Sequence, residues 1–358
     1  MRHFTLSFLA AFALLSCQTA PVRDAELTAA CDELAAEHDL SGVVLLAVGD
    51  EVLVERAYGL RDVQAQEEVD VDTRFLVASL TKPVIGLLSM RLVEAGRIAL
   101  DDKACAHCAE LAGTEAGSAT VHQLLTQTSG LPHYEGWPGF LDDTSIERSQ
   151  GELLALLAET ELRSEPGASF HYSGPGYLLL GIVLERATGT PLEQLLQEWV
   201  FEPLEMHDSQ LITAETDASM HACLYERTGD GLAPAPPRHA STLRATGGLM
   251  TTARDLHRFV RAVQRGTLLR EETRATLLTG GRGRYACGLI VYRNPWTGPR
   301  FARHKGSMPG VSAHFVFGLD DERAAIVLCN VGRTRVEAIS DALMARCPRE
   351  LPAAASAP

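Results

Sequence analysis

Residues 77–83 read Val77-Ala78-Ser79-Leu80-Thr81-Lys82-Pro83 and place a serine three positions before a lysine. If a helix begins here, positions i and i+3 lie on one face, so the Ser79 hydroxyl and the Lys82 amine meet. A serine hydroxyl is a poor nucleophile unless a neighbouring group takes its proton. With 19 serines and three lysines in the chain, chance produces this spacing in roughly one sequence in six. The motif therefore suggests a nucleophile and a base without establishing them.

Composition narrows the class of protein. The 358 residues are 46% hydrophobic and 22% charged, which is enough to bury a full core as one large domain or two lobes. The formal net charge is −14, without a block of like charges. Because nucleic acid is bound by clustered basic residues, a nucleic-acid partner is not expected. A neutral or mildly cationic small substrate fits this charge better.

The first residues are typical of an export signal. Arg2 and His3 precede an apolar run from Phe4 to Leu15, which is shorter than the roughly 20 residues that a helix needs to span a bilayer. The sequence LLSC at 14–17 resembles a bacterial lipobox, in which the cysteine is lipidated after cleavage. We predict residues 1–17 as a signal peptide with Cys17 as a lipid anchor, residues 18–24 as a tether, and a periplasmic or other cell-envelope location. Ordinary secretion with cleavage near Ala20 is the alternative.

Seven cysteines follow Cys17, and export permits disulfides. Cys105 and Cys108 have the spacing of a zinc or thiol redox site. A structural zinc site needs four ligands, however, and the chain has no second Cys-x-x-Cys. No thioredoxin-like context surrounds the pair either. We predict structural disulfides, with at least one thiol either free or paired between chains, no metal site and no cofactor.

Hydrophobic periodicity and turn residues predict an α+β fold. Helices are expected at 25–38, 80–95, 121–126, 150–159, 176–188, 191–200, 252–264 and 334–346. Strands are expected at 41–47, 52–58, 286–292, 313–317 and 324–329. Strands at both ends of the chain predict one antiparallel sheet built from both termini, carrying a helical lobe at roughly 80–240. Residues 348–358 are expected to form a disordered tail.

Four further blocks place the serine and lysine in a larger pattern. They read HQLLTQTSGLP at 122–132, PGASFHYS at 166–173 followed by GYLLLG at 176–181, TGGLMTTARDL at 246–256, and HKGSMPG at 304–310. With residues 79–82, and in this order, they resemble the serine β-lactamase-related family of class C β-lactamases, D-specific peptidases and related esterases. The resemblance covers about residues 25–347. It implies a β-lactamase and penicillin-binding transpeptidase-like fold.

The resemblance also implies roles for the matched positions. Ser79 would be the nucleophile, Lys82 its partner and Tyr172 a second base. His304 would be an electrostatic partner, and the backbone N–H groups of Ser79 and Ser307 would form the oxyanion hole. Lysine and tyrosine both titrate at about 10 in water, so either must be shifted to act as a base near neutral pH. The identity of the base that takes the serine proton is open at this point.

Two positions depart from the family pattern. The tyrosine motif normally continues Tyr-x-Asn, but Gly174 has no amide to contact the acyl carbonyl. His304 stands where lactamases place a lysine, which weakens the fixed charge that helps to hold a β-lactam carboxylate. Lys305 either restores that charge or points to solvent, and with Gly306 it is expected at the substrate. These departures favour an esterase or D-peptidase over a β-lactamase.

Aromatic residues follow the turn at 129–132. Tyr134 and Trp137 either line an acyl pocket or cap the apolar side chains of their own loop. We predict a serine acyl hydrolase that acts through an acyl-enzyme on small esters or on D-amino-acid peptides and amides. A class C-like β-lactamase and a catalytically silent envelope protein that keeps the fold for binding are the alternatives.

Overall fold

The computed structural model describes residues 22–134, 137, 140, 144–216, 221–293 and 298–350, with the backbone alone at 22–24. The predicted signal peptide, Cys17, most of the tether and the end of the predicted tail lie outside these residues. Export and lipidation therefore stay predictions. The first helix begins at Val22, so the last three residues of the predicted tether are already helical. No helix in these described ranges is both long enough and apolar enough to cross a membrane.

Regular elements alternate along the chain. The helices are α1 (Val22–Glu37), α2 (Thr81–Glu94), α3 (Ala104–His107), α4 (Val121–Leu125), α5 (Gln150–Ala158), α6 (Gly174–Thr188), α7 (Leu192–Leu196), α8 (Ala240–Gly247), α9 (Ala253–Arg265), α10 (Glu271–Leu278) and α11 (Val336–Arg346). The strands are β1 (Gly42–Val48), β2 (Glu51–Tyr58), β3 (Leu60–Asp62), β4 (Glu67–Glu68), β5 (Phe75–Leu76), β6 (Gln210–Leu211), β7 (Tyr225–Thr228), β8 (Gly231–Pro234), β9 (Leu249–Thr251), β10 (Ile290–Arg293), β11 (Arg300–Met308), β12 (Val311–Gly318) and β13 (Arg323–Cys329).

The main sheet joins the two ends of the chain. It has six antiparallel strands in the order β10-β11-β12-β13-β1-β2. The N-terminal hairpin turns at Gly49, whose φ of +63° suits glycine, and β1 then pairs with β13 from Gly42 opposite Cys329 to Val48 opposite Arg323. The predicted sheet built from both termini, with helices inserted between them, is confirmed.

Both faces of the sheet are covered, which explains why β1 is apolar at successive positions. Val44 and Leu46 belong to a core cluster shared with α1 and α11. Val43 and Leu45, which point the other way, pack in the larger core together with the helical lobe and α9. Full burial of each such side chain contributes about 1.5–3 kcal/mol relative to exposure. The helical lobe therefore packs against one face of the sheet, and α1 and α11 pack against the other.

Several elements differ from the prediction. The sequence predicts no strand at residues 300–308, whereas the structure has β11 there, between β10 and β12. The helices α8 and α10, the small sheet β5-β9-β6 and the hairpin β7-β8 were also not predicted. These elements are short or carry polar residues, so their apolar periodicity is weak. Tertiary pairing stabilises them.

The cysteines correct the prediction of disulfides. All seven that follow Cys17 are free thiols, and five of them are buried. Cys31, Cys329 and Cys347 pack in the core cluster beneath α1 and α11, as small apolar side chains do. Burial raises the pKa of the Cys287 thiol to about 12, so it is protonated and unreactive at neutral pH. Among the described residues, no group of three or more His, Cys, Asp or Glu side chains could hold a metal ion.

Candidate active site

Ser79 lies in a tight turn between β5 and α2. The preceding residue, Ala78, has a φ of +46°, which is strained for a residue with a Cβ. Thr81 fixes this turn by donating to the Ala78 carbonyl oxygen at 2.7 Å and accepting from the Leu249 N–H at 3.0 Å. Ser79 itself is half-buried. The turn therefore presents the serine hydroxyl from a rigid support.

Lys82 meets Ser79 across the first turn of α2. Its Nζ donates to the Ser79 Oγ at 3.1 Å and to the Thr246 carbonyl oxygen at 2.7 Å. The side chain is 1% exposed, and burial lowers the pKa of the amine to about 7. A large fraction of the amine is therefore unprotonated near neutral pH, as a general base requires.

Tyr172 lies against both groups. Its ring centroid is 5.3 Å from the Lys82 Nζ. Burial raises the pKa of Tyr172 well above its usual value, and the contact with Ser79 only partly offsets this. The phenol is therefore neutral near pH 7 and can donate a proton. Between the two candidate bases, the opposite pKa shifts favour Lys82.

His304 is neutral in this environment. Its Nδ1 lies 2.9 Å from the Lys305 carbonyl oxygen and must donate to it, since a carbonyl only accepts. Nε2 therefore accepts from the Tyr285 hydroxyl at 3.1 Å. Burial and, to a smaller extent, the charge of Lys82 lower the pKa of His304 to about 3. The imidazole thus brings no positive charge to the site, and Tyr285, which the sequence did not point to, fixes its tautomer.

Strand β11 brings Ser307 to the other side of Ser79. A Cβ at Gly306 would lie 2.0 Å from the Val77 carbonyl oxygen, so β11 can approach the turn this closely only with glycine. Ser79 and Ser307 line one cavity of about 220 Å³. The cavity thus brings together the two residues whose backbone N–H groups are predicted to form the oxyanion hole.

Lys305 lies away from the cavity. Its Nζ is 2.5 Å from a carboxylate oxygen of Glu337 on α11. Neighbouring residues of a strand point to opposite faces, so Lys305 faces α11 while His304 is buried on the lobe side. The cation at 305 does not replace the lysine that lactamases carry at the preceding position.

A tyrosine ring fills the space beside Gly174. A Cβ at Gly174 would lie 2.7 Å from the ring of Tyr134, whose hydroxyl donates to Thr246 Oγ1 at 3.2 Å. The Gly174 N–H donates to the His133 Nδ1 at 2.9 Å. An asparagine side chain at 174 would collide with this ring. Position 174 therefore lacks the amide of the family pattern, and the ring of Tyr134 occupies the space that this side chain would need.

Of the three aromatic residues that follow the turn at 129–132, one lines the cavity and two pack against it. Tyr134 lines the cavity. Trp137 is buried, donates its indole N–H to Thr160 Oγ1 at 2.7 Å, and packs edge-on against Tyr134 with ring centroids 6.1 Å apart. Phe140 stacks on the same ring at 5.2 Å. Both interpretations from the sequence therefore apply. Tyr134 lines the pocket, while Trp137 and Phe140 pack against the ring of Tyr134.

The sequence interpretation missed four side chains around the site. They are His133, Arg238, Thr246 and Tyr285. His133 directly follows the block at 122–132, and Thr246 opens the block at 246–256, so their neighbourhood was indicated although their contacts were not. Arg238 lies in a segment for which no helix or strand was predicted, and Tyr285 directly precedes the strand expected at 286–292.

The fold and the serine–lysine–tyrosine cluster together define the class of serine hydrolases with a penicillin-binding type of fold. Residues 27–346 match the sequence profile of the family described as Beta-lactamase. The chain therefore belongs to the β-lactamase family, which confirms the expectation from the motifs.

Individual relatives differ in activity. The chain is 35% identical to esterase EstB of Burkholderia gladioli over 240 residues, which cover 62% of this chain and 61% of EstB. Its structure is similar to D-amino acid amidase from Ochrobactrum anthropi SV3, with a TM-score of 0.77 and 23% identity over 90% of this chain and 98% of the amidase. It is also similar to a class C β-lactamase, with a TM-score of 0.78 and 20% identity over 93% of this chain and 99% of the lactamase. These two structural similarities show the fold alone.

Proposed function

We propose that this protein is a serine acyl hydrolase that cleaves small esters or D-amino-acid amides through an acyl-enzyme on Ser79. The observation that carries the proposal is the 3.1 Å contact between the Ser79 Oγ and a Lys82 amine whose pKa burial lowers to about 7. The 35% identity to a protein named as an esterase supports the ester class. The amide class comes from the resemblance of the sequence motifs to a family that includes D-specific peptidases.

Acylation follows from the positions of the three side chains. Unprotonated Lys82 takes the proton of Ser79, whose Oγ attacks the substrate carbonyl carbon. The developing oxyanion accepts from the N–H groups of Ser79 and Ser307, and one such donor is worth about 3–4 kcal/mol in the barrier. Tyr172 gives its proton to the departing alcohol or amine and regains one from the Lys82 ammonium. The acyl group is then bonded to Ser79.

Deacylation uses the same groups in the reverse sense. Lys82, again unprotonated, takes a proton from a water molecule that attacks the acyl carbonyl. The Ser79 Oγ leaves and recovers a proton from the Lys82 ammonium or from Tyr172. The products are a carboxylic acid and the free serine.

Three features support the proposal of esters and amides over β-lactams. Gly174 lacks the amide of the family pattern, and the ring of Tyr134 takes up its space. His304 is neutral because its pKa is lowered to about 3. Lys305 pairs with Glu337 on α11. The fixed charge that would hold a β-lactam carboxylate is therefore missing from the expected place.

A fluorophosphonate probe tests the nucleophile. We expect labelling of the wild type and of Ser307→Ala, which keeps its backbone N–H, and none of Ser79→Ala. Equal labelling of Ser79→Ala would rule out Ser79. Turnover of short p-nitrophenyl esters should exceed turnover of nitrocefin by the wild type. Efficient nitrocefin hydrolysis would instead favour the β-lactamase alternative.

A further inference from the structure

The cavity at Ser79 adjoins a second, wider cavity. The first has a volume of about 220 Å³ and the second about 640 Å³. Arg238, Leu243, Met308 and Pro309 line both, so the two cavities meet at these four residues, which are called the passage below. The smaller cavity can hold the reacting carbonyl group, while a substrate with a longer chain must extend past these four residues.

The walls of the wider cavity are mainly apolar. Leu76, Ile212 and Leu224 line it together with a proline-rich segment at 234–237. Among its described lining residues the acidic one is Asp62, whose Oδ1 accepts from the N–H groups of Gln64 and Ala65 at 2.8 and 3.0 Å. These two bonds hold the carboxylate in its own turn.

Arg238 differs from the two most deeply buried arginines among the described residues, Arg261 and Arg323. Arg261 pairs with Glu322 at 2.7 Å and Arg323 with Asp321 at 2.8 Å. Arg238 forms no such ion pair within the described part of the chain, and its buried Nε has no hydrogen-bond partner. A guanidinium stays charged in proteins, so a half-buried one without an anion leaves a strong donor unsatisfied.

The backbone next to Arg238 is held in place. The following residue, His239, donates its N–H to the Thr144 carbonyl oxygen at 2.7 Å and caps α8, which begins at Ala240. On its other side, Arg238 lies close enough to Tyr134 for its charge to favour the phenolate form of that residue and so oppose the rise in pKa caused by burial. Arg238 therefore lies at the passage next to an anchored backbone, beside the cavity lined by Ser79.

We propose that Arg238 binds a carboxylate of the substrate, so that the enzyme prefers esters or amides that carry a free carboxylate next to an apolar chain. A carboxylate matches the planar donor fork of a guanidinium and would satisfy the buried Nε. The proposal rests on the proposed acyl hydrolase function and names its substrate class. The net charge of −14 suggested neutral or cationic substrates, but the charge at the passage to Ser79 is positive.

The carboxylate could lie on the acyl part or on the leaving group, and paired substrates distinguish these positions. Phenyl hydrogen adipate carries it on the acyl part, and its methyl ester is the neutral match. 3-Carboxyphenyl pentanoate carries it on the leaving group, and its methyl ester is again the neutral match. Release of the phenol by the purified protein gives kcat/KM for each substrate.

We expect the wild type to prefer the acid over its methyl ester in one pair. Arg238→Gln should lower kcat/KM for that acid by about 10- to 100-fold, as expected for loss of a charge-assisted hydrogen bond, and for the methyl ester by less than about threefold. Arg238→Lys should retain part of the preference. Lys305→Met is the matched control, because it removes the cation that faces Glu337, and it should leave the preference unchanged.

The other possible results count against the role of Arg238, against the proposed function, or against both. Equal losses on the acid and its methyl ester, or a preference lost in Lys305→Met and kept in Arg238→Gln, would overturn the role of Arg238. Hydrolysis of the neutral esters that survives in Ser79→Ala would overturn the proposed function instead. If Ser79→Ala abolishes all turnover while Arg238→Gln leaves both members of each pair unchanged, only the carboxylate proposal fails. No turnover of any of the four esters by the wild type counts against both.

Discussion

Lys82 and His304 are two ionisable groups whose pKa values are lowered by burial. The pKa of Lys82 is lowered to about 7 and that of His304 to about 3, with desolvation as the main cause for both. A lysine at 304 would instead place an ammonium beside Lys82. The residue at position 304 therefore determines whether a second positive charge lies next to Lys82, the base that acts on Ser79.

The pH dependence of activity tests this setting. For a neutral ester, kcat/KM should rise with pH through about 7, because Lys82 must lose its proton to act as a base. His304→Lys adds a like charge next to Lys82 and should move the rising limb to lower pH by about one unit. His304→Gln adds no charge and should leave the limb in place. An unmoved limb in His304→Lys, or equal movement in both variants, would contradict this electrostatic role.

At the scale of elements, β11 and the turn before α2 form the contact that completes the site. The turn supplies Ser79 and β11 supplies Ser307, and these two residues line the same cavity. The contact depends on Gly306, because a Cβ there would lie 2.0 Å from the Val77 carbonyl oxygen. The strand cannot keep both its register and its distance from the turn with a larger residue.

Gly306→Ala should therefore impair both stability and activity. Overpacking by one methyl group costs about 1–3 kcal/mol. A displacement of about 1 Å of the oxyanion donor can lower kcat by about 100-fold. Gly229→Ala is the control, since its Cβ would meet nothing within 4 Å. Urea unfolding and ester kinetics measure the two effects, and wild-type behaviour of Gly306→Ala would contradict the close approach.

At the scale of the whole molecule, buried histidines couple folding to pH. His304 has its pKa lowered to about 3, and burial holds the pKa of His314 well below its usual range. In the unfolded chain both titrate at about 6.5. As the pH falls below about 6.5, the unfolded state binds protons that the folded state excludes, so the stability present at higher pH is lost.

The free energy of unfolding should accordingly fall on mild acidification. At pH 5 each of the two histidines removes up to about 2 kcal/mol relative to pH 7.5. Urea unfolding at pH 7.5, 6 and 5 measures the slope, which should be smaller in His304→Gln. The exposed His207 provides the control variant His207→Gln, in which the slope should stay as in the wild type. Equal slopes in the wild type and His304→Gln would show that His304 does not contribute.

The fold was predictable where the pattern is local. The N-terminal hairpin, α2, α6 and α9 follow from apolar periodicity and turn residues, and their bounds differ from the prediction by a few residues. The sequence did not predict β11 at residues 300–308, because charged residues interrupt its apolar positions. Its pairing with β10 and β12 stabilises it instead. The predicted disulfides were wrong because cysteine number does not determine which thiols approach each other.

The sequence by itself determined which reactive groups exist and in what order. The spacing of Ser79 and Lys82, the later blocks and the strands at both termini were enough to place the chain in its family and to predict its α+β fold. Only the tertiary structure decided that the pKa of Lys82 is lowered, that Lys305 faces Glu337, and that Tyr134 fills the space beside Gly174. It also decided that Arg238 has no ion pair with any residue that the structure describes. These properties depend on burial and on contacts between distant segments, which local sequence patterns do not encode.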